Sequence, residues 1–326
     1  MKRFSIICAV VILFSVVFPI FYTLKSSKSK GAPLTDNEGQ ADASVTVSVL
    51  DGDNIVEMNL SDYLTGVVAA EMPASFEEEA LKAQAVAART YTLYKLVVAP
   101  SSNHPDADVC TNSACCKAYI SQDTMKERWG DNYDQYYDKI SQSVSQTDGQ
   151  CLVYDSEPIL AVFHSSSSGM TESSGDIWPN QLPYLVSVES PETADSVPNF
   201  SQTVKVSYDD FKNTVMSQYP DAVFSDDKST WITDIVLNDS GRIATAVIGG
   251  ITMTGPDIRS LFSLRSSSIT FNQTETEIEI TTEGYGHGVG MSQYGANTMA
   301  QSGSNYKDIL SWYYTGCQFG SVSDFI

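Results

Sequence analysis

Residues Ala69 to Tyr94 read AAEMPASFEEEALKAQAVAARTYTLY, and the way this stretch folds organises the rest of the chain. Pro73 suits a first turn, and Ser75 followed three places later by Glu78 has the capping-box pattern, so the spacing predicts a helix opening near Ser75 or Phe76. Leu81, Ala85, Ala88 and Thr92 recur at helical spacing, with Ala80, Gln84, Ala87 and Tyr91 beside them. That small-residue face suits burial in a core. Glu71 falls just before the helix, in its entry loop. A lone loop glutamate is most often a solvated acid. Here Val67, Val68, Ala69, Ala70 and Met72 surround it with apolar groups, a setting expected to raise a carboxyl's pKa toward what a general acid needs.

Toward the N-terminus, Asn59 to Tyr63 opens a short helix leading to Glu71. Val45 to Met58 alternates apolar and polar residues around Asp51-Gly52-Asp53-Asn54, which predicts a hairpin. Residues 25–44 (KSSKSKGAPLTDNEGQADAS) are small, polar and aperiodic, a flexible linker. Phe4 to Leu24 carries no charge and, at about 1.5 Å per residue, spans a ~30 Å hydrocarbon core. Residues 1–24 are therefore read as a transmembrane anchor; no small-x-small cleavage site follows, which disfavours a cleaved signal peptide. Lys2 and Arg3 on one flank and Lys25, Lys28 and Lys30 on the other pull its orientation in opposite directions.

The 326 residues are 42% hydrophobic, enough for one large or two modest domains. Five of the 19 Lys and Arg lie in residues 1–30, which hold no acid, so the body sets 14 basic residues against 40 acidic ones. A body that acidic is a poor nucleic-acid binder, since such binding needs Lys and Arg to neutralise phosphates.

Downstream, Val98 to Tyr119 is loop-like and carries His104, Cys110, Cys115 and Cys116. Thiols this close make either a small disulfide loop, the reading that spacing alone favours, or part of a zinc site. His104 reads as a surface loop histidine. Trp129, Tyr133, Tyr136 and Tyr137 are equally readable as sugar-stacking faces or core filling. Gly149 to Phe163 reads as a hairpin turning at Asp155-Ser156-Glu157-Pro158, followed by His164 and a run of serines. No G-x-S-x-G elbow supports a serine nucleophile there. Residues 191–272 predict a smaller α+β lobe whose Arg259 and Arg265 are expected to pair with acids. Glycines at 284, 286, 288 and 290 alternate with Tyr285, His287 and Val289, letting another backbone or a polymer come close. That spacing is no dinucleotide fingerprint. His287, Ser292, Gln293 and Tyr294 offer neutral donors and acceptors suited to sugars or amides. Helices are predicted over Met291–Ala300 and Tyr306–Tyr314, and Cys151 with Cys317 is a conceivable disulfide. The fold class is α+β: a mixed helix and sheet body with a second, smaller lobe and a cleft.

The strings V-A-A-E-M-P and E-A-L-K-A-Q-A-V-A-A-R-T-Y, with G-Y-G-H-G-V-G-M-S-Q-Y-G-A at Gly284–Ala296, resemble the stage II sporulation protein D family of peptidoglycan lytic transglycosylases. The likeness runs from about Val45 to Phe319 and includes F-H-S-S-S-S-G-M-T-E, although Ser168 stands where the family has Gly. It implies a body over residues 45–326 that cleaves the bond between N-acetylmuramic acid and N-acetylglucosamine, giving 1,6-anhydro ends. Glu71 would be the catalytic acid and base, with Lys82, Arg89, His164, Ser165, His287, Ser292, Gln293 and Tyr294 around the substrate. V-C-x4-C-C-K-A-Y is similar to the family's C-x4-H-C-Q-A-Y, so the resemblance implies zinc held by Cys110 and Cys115, with Cys115 replacing a histidine. It further implies a single-pass membrane protein with its body outside the cytoplasm, acting in engulfment with a wall amidase and a membrane-protein partner. The alternatives are a non-catalytic wall-binding or amidase-activating module and, further off, a metalloenzyme run by the cysteines.

Overall fold

The structure is a computed structural model and describes residues 41–326. The anchor assigned to residues 1–24 and nearly all of the linker lie outside those residues. Among the described residues no helix is long and apolar enough to cross a membrane.

The packed body includes residues before Val45. Asp42, in a short 3-10 turn, is buried against Arg89, whose Nε donates to it at 2.8 Å and whose Nη2 lies 2.5 Å away. The Ala41 and Asp42 N–H groups donate to the Asp148 carboxylate, both at 2.9 Å. The last four residues read as linker are thus pinned to the body.

Strands β1 (Thr46–Asp51) and β2 (Asn54–Asn59) form the expected hairpin around Gly52, whose φ is 60°. Helix α1 (Leu60–Glu71) runs well past Tyr63, because Leu60, Tyr63, Leu64, Val67 and Val68 make one continuous apolar stripe that is buried. It stops where Met72 turns extended, as the residue before a proline prefers. Glu71 is therefore the last residue of a helix and not part of a loop. Pro73 lies outside α2 (Glu78–Val97), in a tight turn closed by the Phe76 N–H on the Pro73 carbonyl at 3.0 Å. The predicted capping box is not made: Glu77 occupies the N-cap with no side-chain cap. Every residue of α2 from Ala83 to Leu93 is buried, so it is the spine of the core on all sides and not on one face.

Strand β3 (Val109–Cys110) pairs in parallel with β1 and brings the cysteine loop to that sheet's edge. Helices α3 (Gln122–Trp129) and α4 (Tyr133–Ser145) follow. Their aromatics pack on one another, with Trp129 and Tyr136 edge to face at 5.7 Å, and against the main core. Strands β4 (Gln150–Tyr154) and β5 (Glu157–Pro158) turn through Asp155 and Ser156, at φ 51° and 66°, the left-handed pair of a two-residue hairpin turn. Strand β6 (Phe163–His164) and a short helix α5 (Ser174–Ile177) lead to a second buried cluster.

That cluster is enclosed by β7 (Ser201–Ser207), α6 (Tyr208–Gln218), β8 (Ile232–Leu237), β9 (Ile243–Ile248), β10 (Ile251–Thr254), α7 (Gly255–Leu261), β11 (Ile269–Gln273) and β12 (Glu277–Glu283). Two three-stranded antiparallel sheets, ordered β10-β9-β8 and β11-β12-β7, close on Phe211, Ile248, Ile258, Ile278 and Ile280. Helix α7 opens on a true capping box between Thr254 and Asp257. The chain then returns to the first core through β13 (Met291–Ser292), parallel to β6, and helices α8 (Gln293–Gln301) and α9 (Tyr306–Tyr313). It ends with β14 (Gln318–Ser321), antiparallel to β4. The class is α+β, as expected.

Candidate functional site

Glu71, half-buried at the C-terminal end of α1, lines a cavity of about 410 Å³ with Lys117, Phe163, His164, Ser165 and His287 among its other walls. Its Oε1 accepts the Ala118 N–H at 3.1 Å, so the cysteine loop holds the carboxylate in place. Among the described residues no other acid lines this cavity.

The wall opposite comes from the glycine-rich signature and the segment after β5. Tyr285 and Ser166 exchange backbone hydrogen bonds at 2.9 and 3.1 Å. A Cβ on Gly286 would lie 2.8 Å from the His164 Cβ, and one on Gly290 would lie 2.1 Å from the Val162 carbonyl oxygen. Both glycines have positive φ, so close approach and backbone shape together demand Gly. Gly290 thus admits this chain's own backbone, and Gly286 the base of the His164 side chain.

Both histidines are neutral. His164 Nδ1 lies 3.2 Å from the Val289 carbonyl and therefore donates to it, which leaves Nε2 to accept from Ser167 Oγ at 2.7 Å. Burial holds its pKa well below the ordinary value. His287 accepts the Val289 N–H on Nδ1 at 3.1 Å. Burial first, then the charges of Lys117 and Arg259, pull its pKa down to about 3. The rings lie 5.7 Å apart, and Trp178 lies 5.6 Å from His287 on another side. Gln293 is buried at the cavity wall, and its Nε2 has no hydrogen-bond partner among the described residues.

Four of the residues named around the substrate do not line this cavity. Lys82 pairs with Glu79 at 2.7 Å on the flank of α2. Arg89 is fully buried on Asp42. Ser292 caps α8 by accepting the Gly295 N–H and donates to the buried Glu192. Tyr294 packs edge to face on Phe76 at 4.9 Å. Lys82, Arg89 and Ser292 have polar atoms already taken up by these partners, and the Tyr294 ring is packed.

Lys117 was not singled out from the sequence, though it stands where the family pattern quoted above has Gln. It is buried, with Nζ 3.7 Å from the centre of the Phe163 ring and 4.3 Å from that of Tyr91. Burial pulls its pKa down to about 8, against the opposing charge of Glu71.

Behind this wall His104, Cys110, Cys115 and Cys116 bring their ligand atoms within 4.8 Å of one another. His104 is buried and not a surface residue; its Nε2 lies 3.3 Å from the Cys116 Sγ. Its Nδ1 donates to the Ala107 carbonyl at 2.8 Å, which leaves the Nε2 lone pair free. All three thiols are free, as are Cys151 and Cys317, so neither disulfide reading is realised here. Hydrogen bonds from Asn103 above all pull the Cys115 thiol down to about 7, and burial pushes Cys116 up to about 12.

Fold and cavity define an α+β protein with a one-carboxylate cleft, backed by a cluster of three thiols and an imidazole. The family model described as "SpoIID: Stage II sporulation protein" matches residues 51–154. Stage II sporulation protein D of Bacillus subtilis is 33% identical over all of this chain and 98% of its own length. The protein of that name from Bacillus amyloliquefaciens is 38% identical over 92% of this chain and 84% of its own. An amidase enhancer of B. subtilis is 28% identical over 78% of this chain and 39% of its own length. The chain belongs to the stage II sporulation protein D family, a family of sporulation proteins.

Proposed function

We propose that this chain is a lytic transglycosylase of peptidoglycan. Glu71, protonated, gives its proton to the oxygen between muramic acid and glucosamine as the bond from C1 breaks. The muramic 6-hydroxyl then attacks C1, and its proton returns to the Glu71 carboxylate. No water is consumed and no second carboxylate is needed, unlike the paired acids of hydrolysis. The observation that carries this reading is a cavity with one carboxylate among the described residues that line it, held by the Ala118 N–H and faced by neutral imidazoles. His164, Ser165, His287 and Gln293 would orient the strand.

Residues 1–24 would anchor the chain once in the cell membrane with the body outside, where engulfment requires wall to be cut. A wall amidase and a membrane protein would be its partners. The donors of His104, Cys110, Cys115 and Cys116 fit tetrahedral zinc. A bound zinc would supply structural rigidity, fixing the loop on which Ala118 holds Glu71. This widens the ligand set implied by the resemblance, Cys110 and Cys115, by two residues.

The test is incubation of purified glycan strands with the full-length chain and with its Glu71→Gln variant. The parent should release 1,6-anhydro ends and the variant none; equal release by both would reject the role given to Glu71. A second reading, amidase activation without catalysis, draws on the relative named amidase enhancer. It requires that neither protein release anhydro ends while both stimulate an amidase.

A further inference from the structure

A second cavity, of about 450 Å³, opens on the smaller lobe, with Pro256, Arg259, Ser260, Arg265 and Tyr285 in its walls. Tyr285 also lines the Glu71 cavity, so the two hollows share a wall. Tyr285 is 49% exposed, unlike most aromatics among the described residues.

The two arginines were expected to pair with acids. Among the described residues neither forms an ion pair. Arg259 uses Nε on the Leu264 carbonyl at 3.3 Å. Arg265 donates through Nη1 to the Asn199 carbonyl, and its guanidinium sits 4.7 Å over the Tyr285 ring. The Gly286 N–H donates to the Arg265 carbonyl at 3.0 Å, which ties this wall to the glycine signature. In a chain with 40 acids against 19 bases, two guanidinium groups left without a carboxylate in one hollow are an unusual concentration of unspent positive charge. A planar guanidinium matches a carboxylate in geometry as well as in charge. An aromatic face beside it matches the apolar face of a sugar ring.

We propose that Arg259, Arg265 and Tyr285 form an anion subsite that binds a carboxylate of the glycan strand lying in the neighbouring Glu71 cavity. The subsite rests on the transglycosylase reading for its ligand. Glucosamine carries no carboxylate, so the group belongs to muramic acid, either on its own lactyl ether or on an attached peptide. The subsite would set the register of the strand by recognising every second sugar.

The test is calorimetric binding to the full-length chain carrying Glu71→Gln, which stops turnover. Three probes are used: a muramic acid-glucosamine tetrasaccharide with free lactyl carboxylates, the same sugar bearing stem peptides, and chitotetraose. Adding Arg259→Gln and Arg265→Gln should weaken at least one carboxylate-bearing probe by about tenfold, the cost of a charge-assisted pair, and leave chitotetraose unchanged. Loss confined to the first probe assigns the lactyl group, and loss confined to the second assigns the peptide; both outcomes support the subsite. Unchanged binding of all three, or equal weakening that includes chitotetraose, overturns it and leaves the glycan reading standing. If the Glu71→Gln parent binds none of the probes, the glycan reading falls and the subsite with it. Arg265→Gln alone repeats the measurement if the melting temperature of the double replacement drops.

Discussion

Glu71 faces two histidines across the cavity. If Glu71 is the acid, Glu71→Gln should lower anhydro-product release by about 10² to 10⁴ and leave the melting temperature within a degree or two, because the amide still accepts the Ala118 N–H. Paired rate and melting measurements check this. His287 gives a pH signature. An unfolded histidine titrates near 6.5, whereas the folded state holds His287 to about 3 by burial and by the charges of Lys117 and Arg259. Below pH 6.5 the unfolded chain binds a proton that the folded chain refuses, so stability falls as pH drops from 6.5 toward 3. The slope is at most about 1.4 kcal/mol per pH unit for that residue, and it is absent above pH 6.5. His287→Gln should make the slope shallower by that share in urea titrations run between pH 7 and 5, while the buried His164, also held well below the ordinary value, keeps its own. Glu71 could be singled out from its apolar neighbours and the surrounding motif. His104 could not, since its burial comes from a loop folding onto β3 and the thiols. Lys117 was visible only as a departure from a pattern.

At the scale of elements, α2 is the member against which the others pack, and its one buried charge is Arg89. Removing one partner of a buried ion pair strands the other, at about 3 to 5 kcal/mol. Asp42→Ala should therefore cost about that much in urea unfolding. Ala41 and its neighbours, also held by Asp148, should become sensitive to protease at the same time. The thiol-imidazole cluster is the other element-scale device. Metal analysis of the full-length chain should find about one zinc per molecule, and Cys116→Ser or His104→Ala should lose it. Hairpins at Gly52 and at Asp155-Ser156 were legible because their turn chemistry is local. The start of α2 was not, because Pro73 serves two readings. It can open a helix, or it can end the one before it by forcing Met72 to be extended. Only the buried stripe of α1 decides between them.

Across the whole molecule, the two cores meet at a buried knot of polar groups. Glu172 accepts from Ser240 Oγ at 2.7 Å and from Asn238 Nδ2 at 2.8 Å, and its other neighbour is the buried Arg242. A Cβ on Gly288 would lie 1.7 Å from Arg242 Nη1, so the knot also locks the glycine signature. Glu172→Leu should destabilise by about 3 to 5 kcal/mol, since it leaves Arg242 charged and unpaired. Arg242→Met combined with Glu172→Leu should recover much of that loss, and a double-mutant cycle measures the difference. The sequence marks both arginine and glutamate as ordinary surface residues, because nothing local says that residues seventy apart will meet. The order of pairing has a further consequence. Strand β14 lies beside β4 across more than 160 positions of chain, and Ile309, Leu310, Tyr313 and Tyr314 fill the first core. A ribosome making this protein must release residues 306–321 before the hydrophobic interior laid down by the first half can shut. During synthesis that half stays open, and a premature stop anywhere before Gln318 should leave a product that quality-control proteases clear.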